Sequence, residues 1–312
     1  MVAGLKPVAP AAVPDLVLHL GARAPWADSG PAADGLIYRA PSDAADPPMV
    51  EATWASGRQG ILLRYADGTE FHVSEDAREA WASWPAPLTV ADAMVYLLGP
   101  VLGYVLRRRG VLALHASGVV IEGRAAAFCG GSGAGKSTIA AAVATAGHVA
   151  LADDVLALRE VDGRTLAYPA HDHLRVWDDT AALFVDPAEP LELLTPNWDK
   201  RALPLERLGT AIARAPAPLG AIFVLGERTA DEAAPRTERV RAADALLQII
   251  TNTAANYLLS REMRGEELAL LARVLDRTPV YRLTPSSDPA RLPLLVSRVA
   301  ETLREGRGGS GA

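Results

Sequence analysis

The chain has 312 residues, 50% of them hydrophobic and 22% charged, with a net charge of −6 at neutral pH. That is the composition of a folded globular protein with a sizeable core, in one large domain or two unequal ones. The acidic balance and the lack of a polybasic stripe speak against a nucleic-acid partner, and the single cysteine, Cys129, excludes an intrachain disulfide and fits a reducing compartment.

The first residues, Met1 to about Pro14, are rich in Ala, Pro and Val and read as a loosely held arm without the charged start of a secretory signal. Short strand-like runs follow at Asp15–Leu20, Gly35–Arg39 and Glu51–Ala55. Ile61–Ser74 then reads as a hairpin, because Asp67-Gly68 supplies the turn. At Thr89 the pattern changes to a helix, with Asp92 three residues on as a capping partner and a kink expected near Pro100. The longest uncharged run, Ala93–Leu106, is too short to span a bilayer, so a cytoplasmic protein with no membrane partner is expected.

Val111–Ile121 reads as one strand with His115 in its middle, Glu122-Gly123 as a turn, and Arg124–Cys129 as a second, buried strand. Next comes Gly130, Gly131, Ser132, Gly133, Ala134, Gly135, Lys136, Ser137, which fills the G-x-x-x-x-G-K-[ST] pattern between that strand and an alanine-rich helix closed by Gly147. Glycines let backbone N–H groups surround phosphate oxygens, the lysine reaches the β- and γ-phosphates, and the Ser137 hydroxyl suits a bridging magnesium ion. Thr138 completes the helix start. A strand from His148 to Ala152 then ends in Asp153-Asp154, the place where such a fold holds a metal carboxylate.

Beyond a hairpin over Val155–Tyr168, the segment to Arg201 reads as irregular and polar, and Arg175, Lys200 and Arg201 are candidate phosphate partners. Lys200 stands out because the chain has only three lysines, Lys6, Lys136 and Lys200, among 31 basic residues; the stretch around it is expected to be a mobile segment over the nucleotide. His171 and His173 have metal-like spacing, but no further ligand joins them. A strand over Pro218–Gly226, helices over Arg241–Ser260 and Glu262–Leu275, a strand over Pro279–Leu283 and a last helix over Asp288–Arg304 behind a Ser286-Ser287 cap complete the chain.

The run from Leu114 to Leu158 resembles the catalytic core of the HPr serine kinase/phosphorylase family, and more closely the HPr-kinase-related proteins found beside peptide-modification genes. The shared order is a histidine before the loop (His115), the loop itself, Gly147-His148, and the paired aspartates. The glycine-rich recognition stretch of the bifunctional enzymes is missing, with only Arg175 in its place, and the first 88 residues do not match that family's N-terminal domain. The resemblance implies an ATP- and Mg²⁺-dependent kinase that phosphorylates a serine of a small protein or precursor peptide. Ser137 and Asp153 would hold the metal, Lys136 would stabilise the transferred group, Asp154 would accept the proton and His115 would orient it; the two aspartates could exchange roles. A small-molecule kinase or a nucleotide-gated binding module uses the same loop, and a homo-oligomer is compatible with the chain.

The expected fold is α/β, a P-loop kinase core with a mixed sheet over residues 89–305, preceded by a small β-rich domain over 1–88 and followed by a disordered tail over 306–312.

Overall fold

The computed structural model describes residues 14–41, 49–195 and 198–306. The expected N-terminal arm and C-terminal tail lie almost entirely outside the described residues. The chain forms a mixed α/β structure in two compact units, Met1–Gly110 with Ala255–Arg264, and Val111–Ala254 with Gly265–Ala312.

The first unit is a six-stranded sheet made of β1 (Val17–Leu20), β2 (Pro31–Arg39), β3 (Val50–Ala55), β4 (Gly60–Tyr65), β5 (Glu70–Ser74) and β6 (Glu79–Ser83), in the order β1-β6-β5-β4-β3-β2. All neighbours are antiparallel except β1 with β6. Apolar alternation puts Ile61, Leu63, Phe71 and Val73 on one face, where Met94, Leu97, Val101 and Tyr104 cover them. Met94 lies on α1 (Val90–Tyr96) and Tyr104 on α2 (Leu102–Arg108), and Leu97 and Val101 lie in the single π turn over Leu97–Val101 that joins them, where Pro100 lacks an N–H. At the N-terminus of α1 the Asp92 carboxylate accepts the Thr89 N–H and hydroxyl, each at 2.8 Å.

The boundary expected at residue 88 thus differs from the observed division, which keeps 90–108 with the sheet whose apolar face it covers. By length and composition Val90–Arg108 would suffice to cross a bilayer, longer than the uncharged run suggested; 67% of its apolar 18-residue window is buried within the chain.

The second unit is built on a nine-stranded mixed sheet. Its early strands are β7 (Leu112–Leu114), β8 (Ala116–Ile121) and β9 (Arg124–Cys129), followed by α3 (Lys136–Thr145), β10 (Val149–Ala152), β11 (Leu156–Val161) and β12 (Arg164–Ala167). A separate three-stranded sheet follows, β13 (His173–Trp177), β14 (Leu193–Thr195) and β15 (Trp198–Pro204), with the short α4 (Asp178–Ala181) after β13. The main sheet resumes with β16 (Ala217–Leu225) and β17 (Arg236–Val240); then come α5 (Ala242–Ile250), α6 (Arg261–Arg277), β18 (Val280–Thr284) and α7 (Leu292–Glu305).

Strand β16 is the axis of this unit, parallel to β9 along one edge and to β18 along the other, with the end of β12 antiparallel beside it. Alternate residues of β9 and β16 serve two cores. Ala126, Phe128, Ala221 and Phe223 pack with Ile139 and Val143 of α3 and Leu295 and Val299 of α7. Ala125, Ala127, Cys129, Ile222 and Val224 pack with Ile249 of α5 and Leu271 and Leu275 of α6. Cys129 is thus a small apolar strand residue, and burial pushes its thiol up to about 12.

Four elements differ from expectation. Val111–Ile121 is two strands, and His115 is the break between β7, which pairs with β11, and β8, which pairs with β9 and β10. The segment up to Arg201, read as irregular, carries β13–β15. The helix expected over Arg241–Ser260 stops at Ile250, where the side chains of Thr251, Asn252 and Thr253 bond back to the carbonyls of Gln248 and Ile250. The last helix, α7, is entered through a one-turn 3-10 helix over Pro289–Arg291 that Asp288 caps, its carboxylate accepting the Ala290 N–H, rather than through a Ser286-Ser287 cap.

Candidate functional site

Strand β9 delivers the chain into the loop Gly130–Gly135, and α3 starts at Lys136. The turn into α3 requires φ = +100° at Gly135, where a Cβ would also stand 3.2 Å from the Arg228 guanidinium. Lys136 folds back over the loop, its Nζ donating to the carbonyls of Gly130 at 2.7 Å and Gly131 at 3.0 Å. Burial lowers its pKa, against the upward pull of Asp153 and Asp154.

Ser137 donates its hydroxyl to both oxygens of Asp153, at 3.0 and 3.1 Å. Asp153 is buried and also accepts the Ser117 hydroxyl and the Arg175 backbone N–H at 2.7 Å, so its carboxylate is held from three elements. Thr138 pairs with Thr180 at 2.7 Å between hydroxyls, tying α3 to α4.

Adjacent residues of a strand point to opposite faces, so two aspartates share a site only where the strand has ended. Here β10 stops at Ala152, and Asp154 takes φ = +70°, which turns it into the cleft that Asp153 borders. Its Oδ2 accepts Arg175 Nη1 at 2.8 Å and its Oδ1 lies 3.2 Å from His115 Nδ1. The same Nδ1 is 3.0 Å from the Asp154 carbonyl, an acceptor only, so Nδ1 carries the proton. Burial pushes the Asp154 carboxyl upward, but the His115 hydrogen bond and the charge of Arg175 outweigh it and hold the group well below the usual carboxylate range.

These groups border one cleft of about 720 Å³. Into it come Ser132, Gly133 and Gly135 of the loop, Lys136, Ser137 and Thr138 of α3, both aspartates, and His115, Arg175 and Lys200 from separate elements. Ala134 borders the neighbouring cavity, and Gly130 and Gly131 reach the site through the carbonyls that hold Lys136. Lys200 lies on β15 opposite Trp177 of β13, its Nζ 5.2 Å from the Trp177 ring centre, so a strand ladder brings it to the cleft. Arg201 is not among the groups bordering the cleft. It points instead to the Asp178 carboxylate and the Leu191 carbonyl.

His171 and His173 stack at 4.3 Å, and His171 Nδ1 donates to the His173 carbonyl at 2.8 Å. Burial holds both below their usual range, His173 at about 3. Among the described residues there is no cluster of three or more His, Cys, Asp or Glu side chains spaced to bind a metal. The hard oxygens of Ser137 and Asp153 suit Mg²⁺, which takes only one or two protein oxygens and completes its shell with water and substrate phosphates.

Sequence reasoning missed Ser117, Trp177 and Arg228. The third had a signal: Arg228 follows the end of β16, and in parallel sheets ligands gather at the carboxyl ends of adjacent strands, here β9 and β16. Trp177 and Ser117 had none, since their place depends on the pairing of β13 and β8.

No family model matches the chain, and no curated protein matches it in sequence. Among solved structures it is similar to the HPr(Ser) kinase/phosphatase from Coxiella burnetii at 13% identity and a TM-score of 0.36, over 63% of this chain and 93% of that one. That similarity is weak, and the chemistry of the site stands on its side chains.

Proposed function

We propose that the chain is a P-loop phosphotransferase, an ATP-dependent kinase that passes the γ-phosphoryl group to a hydroxyl, with a serine of a small protein or precursor peptide as acceptor. The observation that carries this reading is the Ser137–Asp153 contact beside Lys136, with Asp154 turned into the same cleft. Ser137 and Asp153 would hold Mg²⁺, which when bound neutralises charge on the β- and γ-phosphate oxygens. Lys136, now resting on the loop carbonyls, would exchange them for phosphate oxygens, and the loop N–H groups would bind the rest.

Asp154 orients the acceptor hydroxyl and takes its proton. Phosphoryl transfer has a loose transition state, in which the protein mainly positions the reactants, so a weakly basic carboxylate suffices. His115 and Arg175 fix its direction, and Lys200 supplies positive charge at the far wall. The direct bond from Ser137 favours Asp153 over Asp154 as the metal carboxylate. The partners in this reading are a nucleotide and a small protein or peptide, in a cytoplasmic setting.

Calorimetry with Mg-ATP, followed by γ-labelled ATP with candidate acceptor proteins and mass spectrometry of the product, tests it. The expected result is Mg-ATP binding that disappears in Lys136→Ala while circular dichroism stays unchanged, and label on a serine. Unchanged nucleotide affinity in that variant overturns the reading.

A further inference from the structure

Strand β8 turns Ser117, Val119 and Ile121 to one face, and the last two join the apolar core there with Ile139 and Val143 of α3. Ser117 is fully buried on that face, opposite Phe128 of β9. A hydroxyl in such a place is costly to bury unless it is bonded, and Ala or Val would fill the space without that cost. Its partner is the Asp153 carboxylate, which only accepts, so the Ser117 proton lies toward Oδ1.

Sheet pairing makes this contact. The β8–β10 ladder ends with Gly118 opposite Ala152, and the residues just beyond that last pair are Ser117 and Asp153. Three donors reach the carboxylate, and they are not alike. Ser137 Oγ lies 3.0 Å from Oδ1 and 3.1 Å from Oδ2, so its one proton does not choose between them. Ser117 holds Oδ1 from β8, and the Arg175 N–H holds Oδ2 from β13 at 2.7 Å. One strand-borne donor on each oxygen fixes the rotation of the carboxylate about its Cβ–Cγ bond. Without Ser117 only the Arg175 bond and the undirected Ser137 bond remain.

Mg²⁺ tolerates little departure from octahedral geometry, whereas Ca²⁺ accepts varied coordination and longer distances, so a carboxylate held in one rotation favours the first. We infer that Ser117 is a positioning residue, which fixes the Asp153 carboxylate and thereby makes the site select Mg²⁺ over Ca²⁺. This assignment rests on the reading of Ser137 and Asp153 as the metal-holding pair.

Calorimetry with adenylyl imidodiphosphate, an ATP analogue that resists transfer, reads the selectivity without turnover when the analogue is supplied as its Mg²⁺ and as its Ca²⁺ complex. The parent binds the Mg²⁺ complex more tightly. In Ser117→Ala that affinity falls about tenfold, the lower end of the usual cost of losing a bond that orients a metal ligand, while affinity for the Ca²⁺ complex stays within about twofold. Ser117→Thr keeps the hydroxyl and retains the parent's ratio of affinities. Ser117→Cys keeps the volume but donates only weakly, and it loses selectivity as alanine does, which decides the matter if the alanine variant does not fold. An unchanged ratio in Ser117→Ala or Ser117→Cys, whatever the melting temperature, reduces Ser117 to packing and overturns the inference alone, as does a parent that binds both complexes equally. A parent that binds neither complex overturns the phosphate reading and this inference with it.

Discussion

The two aspartates sit one bond apart in sequence and do different things. Asp153 is buried and bonded to Ser137, whereas Asp154 faces the cleft between His115 and Arg175. Asp153→Asn therefore raises the magnesium concentration needed for half-maximal activity. Asp154→Asn keeps Mg-ATP affinity and lowers turnover by about two orders of magnitude, the usual worth of a general base. A metal titration of both variants checks the pair; a shifted metal requirement in Asp154→Asn alone reverses the assignment. For Lys200, the ladder position and the Trp177 ring fix a cation at the cleft wall, so Lys200→Ala should lower the single-turnover rate about tenfold, roughly 1.4 kcal/mol of transition-state stabilisation, without changing thermal stability. Rates within twofold of the parent remove Lys200 from the mechanism. The residues of the loop and the aspartate pair were legible because their spacing is contiguous in the chain. Ser117 and Trp177 were not, because each arrives from a strand whose neighbour is set only by sheet pairing.

At the level of elements, the strand–loop–helix unit around Gly135 carries the site, and its strain can be separated from its chemistry. Gly135 and Gly123 both have positive φ, but only Gly135 has a neighbour, the Arg228 guanidinium, within reach of an added Cβ. Each glycine-to-alanine change should cost about 1–2 kcal/mol for a left-handed non-glycine residue. Only Gly135→Ala should also weaken Mg-ATP binding, and calorimetry on both variants beside their melting curves makes the comparison. Equal affinities in the two would mean that the turn is scaffold alone. Strand β9 and helix α3 could be read in advance because their apolar runs are long and their punctuation is glycine. The ladder β13–β15 could not, because the alternation of His173, Leu174, Arg175 and Val176 covers only four residues inside a polar stretch, and its polar members are buried as deeply as its apolar ones. The break at His115 was equally hidden: Leu112, Ala113, Leu114 and Ala116 are all buried, so the apolar pattern runs through without a gap.

For the whole molecule, each compact unit buries histidine in neutral form, His72 in the first and His171 and His173 in the second. Burial brings His72 down from 6.5 to about 4 against an upward pull from Glu70, and neither ring nitrogen has a hydrogen-bond partner. A histidine whose folded pKa lies below its unfolded one makes the unfolded chain bind more protons between the two values, so stability falls as pH drops from about 6.5 to about 4. The full effect of this one residue is of the order of 3 kcal/mol. His72→Phe keeps the edge-on packing against Trp26, which lies 5.2 Å away between ring centres, and removes both the proton site and the unpartnered nitrogens. The variant should match or exceed the parent in melting temperature at pH 7.5 and lead it by a widening margin toward pH 4.5. Because His171 and His173 stay in place, the second unit keeps its own acid sensitivity, and the variant should still lose stability in acid, with a shallower slope. Melting curves across that range decide the matter, and parallel slopes for parent and variant would remove His72 as a source of acid lability.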